Sequence, residues 1–335
     1  ITWLIHQKFE LSIPLYRQEK EWEALGLRLS RATMSNWLLV VYRDWLVHIV
    51  HRLKLELLKQ RYLHIDETHV QVLKEPGRKN TSDSYMWVYC SIRDAVNPIR
   101  YFEYQPGRSG KYPEAFLREY EGYIHTDAYS GYNAVSGVKR CLCYTHLRRA
   151  FVDALPKDIH NSEASKPAEA ILRLNQLFNI ESELEALPPD QKKKERLIRE
   201  KPLLEAFWSW AEKSAIGELP KSKLSKAFHY ALNNREGFWN YLEDGNCSIS
   251  NSLAENCIRP FVIGRKNWLF SGSPKGAEAS AGIYTLVETA KANGLAPMKY
   301  IKYILSDMPG SAFLEHPEYL DDYLPWNPLV KEFCR

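Results

Sequence analysis

The sequence predicts an α/β protein: a mixed sheet with helices on its faces, a helical unit ahead of it and a helical insertion within it. Three observations carry that prediction. Residues 1–60 keep a helical pattern, residues 61–155 switch to alternating β-branched runs and then to strand–helix alternation, and residues 156–250 return to helix-forming composition. The remaining core then spans residues 251–306, and residues 307–335 form an acidic tail. At ~150 residues per domain, 335 residues suffice for two or three units and a substantial core.

In the first unit, residues 16–25 are polar and helix-forming, and Gly26 can end them in a left-handed cap. Ser30 or Thr33 can cap a second helix over residues 34–51, with Trp37, Leu38, Val41, Trp45 and Leu46 on one face. Residues 17–61 hold nine Lys/Arg against five Asp/Glu. This outline fits a DNA-binding helix-turn-helix and equally a helical hairpin that packs on the next domain.

From residue 62 the run Tyr62-Leu-His-Ile-Asp-Glu-Thr-His-Val-Gln-Val-Leu73 alternates as a strand does. Residues 85–92 and 99–104 give two more strands, so the three form an antiparallel meander. A short helix follows over 112–121, stopped by Gly122, then a strand over 123–127, a strand over 138–143 and a helix from Thr145. The insertion carries a mixed-charge run at 192–201, read as a solvated helix face. Residues 251–258 can be helical, 261–276 are basic and turn-rich, and 277–293 form a helix ended by Gly294.

Composition narrows the function classes. Hydrophobic residues make up 45% and charged residues 26%, which excludes disorder or fibrous repeats as a description of the chain. A net charge of +4 is too mild to mark a nucleic-acid binder by itself. The longest apolar run, residues 37–42, is far short of the ~20 needed to span a bilayer. The chain opens on Ile1 with no basic-then-apolar leader, which reads as a fragment boundary and a cytoplasmic setting. Six scattered cysteines are expected to be reduced thiols there. Motifs of metalloproteases, P-loop enzymes and dinucleotide enzymes are absent from the sequence.

Chemistry is expected where carboxylates sit in costly places. Asp66 lies mid-strand among apolar residues, and Asp127 lies at the carboxyl end of another strand. If those strands are neighbours, the two acids converge on a hard cation such as Mg²⁺ or Mn²⁺; otherwise they are one structural and one turn Asp. Glu255 is a third candidate, with Arg259 one turn on as either its salt-bridge partner or a phosphate contact.

Around these acids the sequence reads His-Ile-Asp66-Glu-Thr, His-Thr-Asp127-Ala-Tyr-Ser-Gly-Tyr and Asn-Ser-Leu-Ala-Glu255-Asn-Cys-Ile-Arg-Pro. Close behind comes Ile-Gly-Arg265-Lys-Asn-Trp-Leu-Phe-Ser-Gly-Ser-Pro-Lys-Gly-Ala-Glu-Ala-Ser. These motifs resemble those of the insertion-sequence sixty-six transposases, the TnpC-like DDE enzymes. The likeness runs from Pro14-Leu-Tyr-Arg-Gln-Glu19 to Leu324-Pro-Trp-Asn327. The resemblance implies a ribonuclease-H-like core with a helical insertion before the third acid, and Asp66, Asp127 and Glu255 as catalytic metal ligands. Their spacings are 61 and 128 residues. It implies two Mg²⁺ or Mn²⁺ ions, cleavage at transposon ends and transfer of the freed 3′-hydroxyl into target DNA. It further implies double-stranded DNA as partner, a homo-oligomeric synaptic complex, accessory transposition proteins and a nucleoid-associated bacterial setting. The family's upstream leucine-zipper and zinc-binding segments are not among these residues. A DNA-binding remnant without catalysis is the rival reading, and a glycosidase using paired carboxylates is a third.

Arg265, Lys266 and Lys275, with Arg148 and Arg149 on the helix after Thr145, are candidate phosphate contacts beside Arg259. Trp268 is either a base-stacking ring or core. Cys141-x-Cys143-x-x-His146 invites a zinc reading, although the spacing is tight and no fourth ligand is evident. His64 and His125 each stand two residues before an acid, either orienting it or buried and hydrogen-bonded. Glu67 points to the face opposite Asp66 and is not a ligand candidate.

Overall fold

The structure is a computed structural model that describes residues 1–156 and 165–335. In chain order the elements are α1 (Thr2–Ile5), α2 (Leu15–Ala24), α3 (Arg31–Val41), α4 (Val47–Leu58), β1 (Tyr62–Val72), β2 (Asp83–Ser91), β3 (Arg100–Gln105) and α5 (Lys111–Phe116). Then come β4 (Tyr123–Thr126), β5 (Lys139–Leu142), α6 (Tyr144–Val152), α7 (Lys166–Glu183), α8 (Pro189–Arg199), α9 (Lys201–Ala215), α10 (Lys223–Asn233) and α11 (Arg235–Trp239). The last are α12 (Ser252–Trp268), β6 (Phe270–Ser271), α13 (Pro274–Ala292), α14 (Pro297–Asp307) and α15 (Pro328–Cys334). The expected α/β architecture with flanking helices is present. Part of the expected helical insertion, residues 157–164, lies outside the described residues. Among the described residues no helix is long and apolar enough to cross a membrane. The chain forms two compact units: one of Ile1–Tyr120 with Leu253–Arg335, the other of Glu121–Ser252.

In the first unit the predicted meander is present: β1 pairs antiparallel with β2, and β2 with β3. β6 adds a short parallel partner at Gln71 and Val72. The free edge of β3 is covered by α13. Thr285 Oγ1 accepts the Phe102 N–H at 2.8 Å and Thr289 Oγ1 accepts the Arg100 N–H at 3.0 Å. The match is geometric, because residues four apart on a helix and two apart on a strand are both spaced by about 6–7 Å. α13 also approaches the wide turn 42–46 closely, since a Cβ on Gly282 would fall 2.1 Å from the Tyr42 ring. The core gathers Trp87, Phe102 and Tyr284, with Tyr89 stacked on Phe116 at 3.6 Å.

The N-terminal helices depart from expectation in extent. Gly26 does take a left-handed φ of 85°, and Ser30 rather than Thr33 caps α3. The second helix, expected over 34–51, is longer: a π-helical turn at Tyr42–Leu46 joins α3 end to end with α4, which runs to Leu58. Leu38, Val41 and Leu46 are buried as expected, but Trp37 is 40% exposed. The short helix α5 ends at Phe116 rather than at residue 121, and Glu119 behind it adopts φ 68°.

The stretch 261–276, read as turn-rich, is a further correction. α12 continues to Trp268 with Pro260 inside it. The missing N–H costs a bond to the carbonyl of Asn256, a residue on the exposed side of the helix. Ala254, Ile258, Phe261 and Gly264 form the buried stripe that holds the helix in place. Leu269 then reverses the chain with φ 67° before β6.

The second unit is a parallel pair, β4 and β5, covered by helices, with His125 opposite Cys141 in the register. Phe151, Phe207, Trp208, Phe228 and Phe238 form its aromatic core, mostly in edge-on contacts. The run 192–201 is not simply a solvated face. Arg196 and Glu200 are both 0% exposed, whereas Leu197 and Ile198 on α8 face solvent. Arg196 is held by Glu181 through Nε at 2.6 Å and Nη2 at 2.8 Å, so the charge is buried as a pair.

Candidate active site

Asp66 stands in the middle of β1, half-buried and opposite Val88 of β2. Its Oδ1 accepts the backbone N–H of Glu67 at 3.0 Å. Alternation along the strand puts His64, Asp66 and Thr68 on one face and Glu67 on the other. Glu67 is an ion-pair partner there: Arg108 donates to its Oε1 from Nε at 2.6 Å and Nη2 at 2.5 Å.

Two contacts fasten α12 to the Asp66 face. Cys257 and Cys90 are hydrogen-bonded, and Cys90 lies opposite His64 in the β1–β2 register, hence on its face. Eight residues on, Arg265 Nη1 donates to Thr68 Oγ1 at 3.1 Å. Eight helical residues and four strand residues cover about the same length, ~12–13 Å, so α12 runs along β1. Burial pushes the Cys90 thiol well above its ordinary value, and the bond from Cys90 holds Cys257 below its own.

Glu255 is half-buried in the first turn of α12, at the flank of the buried stripe. Arg259 and Lys266 follow by four and eleven residues, about one and three turns, so they continue that flank, and both are exposed. Lys275, in the first turn of α13, is exposed as well. Trp268 is half-buried against Tyr284 at 6.4 Å, with the Lys8 ammonium 5.5 Å from its ring.

In the second unit Asp127 directly follows β4, and its Oδ1 accepts the Tyr129 N–H at 2.9 Å. This short loop is clamped by Arg140 of β5. Its guanidinium donates to Thr126 Oγ1 at 2.7 Å, the Asp127 carbonyl at 2.6 Å, the Tyr129 carbonyl at 2.8 Å and Asn133 Oδ1 at 2.7 Å. Nearby, burial and then the Asp127 charge raise the Tyr230 phenol above its ordinary range. Sequence reading singled out neither Arg140 nor Tyr230. A charged residue inside the short run before Cys141 was the one available signal for Arg140. Arg148 Nε donates to Asn175 Oδ1 at 2.7 Å, whereas Arg149 is exposed.

The structure separates the cysteines grouped by the zinc reading. Cys143 Sγ accepts the Asn251 N–H at 3.1 Å, while Cys141 faces His125 and Cys247. Burial of both histidines is as one of the two readings expected, at 2% exposure for His64 and 1% for His125. His125 Nε2 accepts the Ser248 N–H at 2.9 Å.

A hollow of about 500 Å³ in the first unit, lined among others by Tyr42, Glu75, Arg78 and Glu103, includes none of the three acids. Carboxylate oxygens are hard donors, the kind that Mg²⁺ and Mn²⁺ take.

Curated relatives are similar over nearly the whole chain. Three proteins of Sinorhizobium fredii (strain NBRC 101917 / NGR234), the uncharacterized proteins y4qI, y4hP and y4jD, are 28%, 26% and 26% identical. The alignments cover 98%, 96% and 97% of this chain, and 62%, 60% and 64% of those proteins. The chain thus spans less than two thirds of their length. No solved structure matches it. Residues 1–279 match the family described as Transposase IS66 family. That match takes in the segments of Asp66, Asp127 and Glu255 together with Arg265 and Lys275, and the chain belongs to this transposase family.

Proposed function

We propose that the chain is the catalytic region of a DDE transposase that cleaves phosphodiester bonds at transposon ends and joins the freed 3′-hydroxyl to target DNA. The observation that carries this reading is the fastening of α12, with Glu255, Arg259 and Lys266, along the Asp66 face of β1. Membership of the transposase family supports it, as does the presence of a third carboxylate, Asp127, at a strand end in a ribonuclease-H-like reading of the core.

Asp66, Asp127 and Glu255 would hold the divalent ions, Mg²⁺ or Mn²⁺, through hard oxygen donors. Such ions, when bound, activate the attacking oxygen and stabilise the leaving one. The chain's own residues position them and bind DNA. Arg140 holds the Asp127 loop by four hydrogen bonds. Arg259, Lys266, Lys275 and Arg149 are exposed cations for the backbone of double-stranded DNA. Arg265 and Arg148 serve the site through the protein groups they bond, Thr68 and Asn175. The helical unit 1–60 supplies a further DNA contact, and synapsis of two ends requires a homo-oligomer and any accessory proteins.

The test is Asp127→Asn. Cleavage of a plasmid carrying the element's ends is lost in both Mg²⁺ and Mn²⁺, while DNA affinity is largely retained, because phosphate binding rests on other residues. An active Asn variant removes Asp127 from the site. A wild-type chain that binds DNA without cleaving it favours the DNA-binding remnant.

A further inference from the structure

We propose that His125, Cys141 and Cys247 bind a structural zinc ion in the second unit. Ligand atoms of the three residues lie within 4.8 Å of one another, and each residue is 1% exposed.

The fold builds this cluster by three separate devices. The parallel register of β4 and β5 sets His125 directly beside Cys141. Cys247 is brought to them by a loop that Arg196 anchors. The guanidinium donates to the carbonyls of Tyr241 at 3.0 Å, Asp244 at 3.1 Å and Cys247 itself at 2.8 Å. Beyond Cys247 the loop is stitched to the start of α6, where Tyr144 N–H donates to the Ile249 carbonyl at 3.0 Å and Asn251 N–H to Cys143 Sγ. Two sulfurs and an imidazole therefore converge through long-range contacts rather than through a local motif.

Donor chemistry selects the metal. Two thiolates and one imidazole form the soft-to-borderline set that zinc takes, and they supply three of its four tetrahedral positions. The fourth falls to a buried water. Two thiolates also balance a divalent cation, so the loaded site is neutral inside the protein. The Arg196 charge nearby is already matched by Glu181. Loading replaces the thiol protons by the metal. A ring ligating through Nδ1 carries its proton on Nε2, so the Ser248 N–H bond to Nε2 is given up. One backbone hydrogen bond is exchanged for three metal–ligand bonds. Burial assigns the ion to holding the loop against the two strands rather than to chemistry. By chain order it acts two residues before Asp127 and eight before Glu255.

Cobalt and zinc titrations of the reduced full chain test this. One equivalent of Co²⁺ is expected to give a thiolate-to-cobalt charge-transfer band and the visible bands of a tetrahedral site, and zinc then bleaches both. Mg²⁺ does not compete. Cys141→Ser and Cys247→Ser abolish the band, with affinity falling by more than the roughly 10–100-fold that loss of an outer-shell partner causes. Cys143→Ser and Asp127→Asn keep it, which separates this site from the proposed catalytic one. Should the Ser variants fail to fold, the charge-transfer intensity of the wild type decides, with two thiolates expected; Cys247→His should show one. Absence of the band in the reduced wild-type chain overturns the proposal. So does a band that Cys143→Ser removes, or a Cys141–Cys247 disulfide that persists in the freshly reduced protein.

Discussion

Asp66 sits inside an eleven-residue strand, whereas Asp127 follows a strand of four residues. The longer strand needs little help. It is hydrogen-bonded to β2 over nine register pairs, and its acid inherits position from regular backbone. The shorter strand has four register pairs with β5, and side chains close the loop that follows it. Arg140 closes the Asp127 loop, and Arg196 closes the loop that brings Cys247 to the same pair of strands. Arg140 gives two of its four hydrogen bonds, and Arg196 three of its five, to backbone carbonyls outside the strands. Regular structure and arginine clamps are thus two solutions to one problem, and they differ in how much a single substitution can undo.

The largest expected effect follows from removing a clamp. Arg196→Met leaves Glu181 buried without its bidentate partner and frees three carbonyls, a loss of about 3–5 kcal/mol for breaking a buried pair. Arg196→Lys should not restore it, because an ammonium cannot fork to a carboxylate and three carbonyls together. Denaturant unfolding of the full chain, followed by hydrogen exchange in residues 121–252, reads this out. Retained protection in Arg196→Met would show that the clamp is dispensable.

A pH dependence sharpens the same region. Burial first, and the Glu181 charge second, push the Glu200 carboxyl up to about 8, while Tyr241 donates to its Oε2 at 2.6 Å. Unfolded, the group titrates at ~4.3. Between those values the folded chain keeps a proton that the unfolded chain has released, so stability falls as pH rises toward 8. Glu200→Gln keeps the Tyr241 bond and an amide donor toward Glu181 without the proton. The variant therefore gains on wild type with rising pH, by at most ~1.4 kcal/mol per pH unit for one proton. Parallel stability curves between pH 5 and 8 would mean that Glu200 is ionised when folded.

The contrast also explains what the sequence discloses. β1 and β2 are legible because β-branched and aromatic residues recur through nine or more positions in each, and Ser30 and Gly26 announce a helix boundary by local chemistry. Asp66 and Asp127 stand out because carboxylates in or at the end of apolar strands are costly, and Glu255 because a basic motif follows it. Arg140 and Arg196 are opaque, since a long-range bond from a side chain to a carbonyl leaves no periodic trace. A charge run such as 192–201 looks the same whether its inner stripe is buried or wet. The stretch 261–276 misleads for the opposite reason: its turn-like composition is overruled as far as Trp268 by the packing of Phe261 and its neighbours. Cys247 could not be grouped with Cys141, because 106 residues separate them in the chain.

The smallest effect belongs to the region built of regular structure, at a margin that depends on side chains. Thr285 Oγ1 accepts the Phe102 N–H at 2.8 Å and donates to the Ala281 carbonyl at 3.0 Å, so the edge of β3 is closed by a hydroxyl rather than by another strand. Thr285→Val keeps the shape and leaves one buried N–H without its acceptor, a loss of about 1–3 kcal/mol. The loss should be local, because the other ladder of β2 and the neighbouring Thr289–Arg100 contact remain. Exchange of the Phe102 amide should therefore quicken while the amides of β1 keep their protection. If β1 loosens as well, the longer strand depends on a side-chain clamp after all, and the contrast between the two acid-bearing strands becomes one of degree.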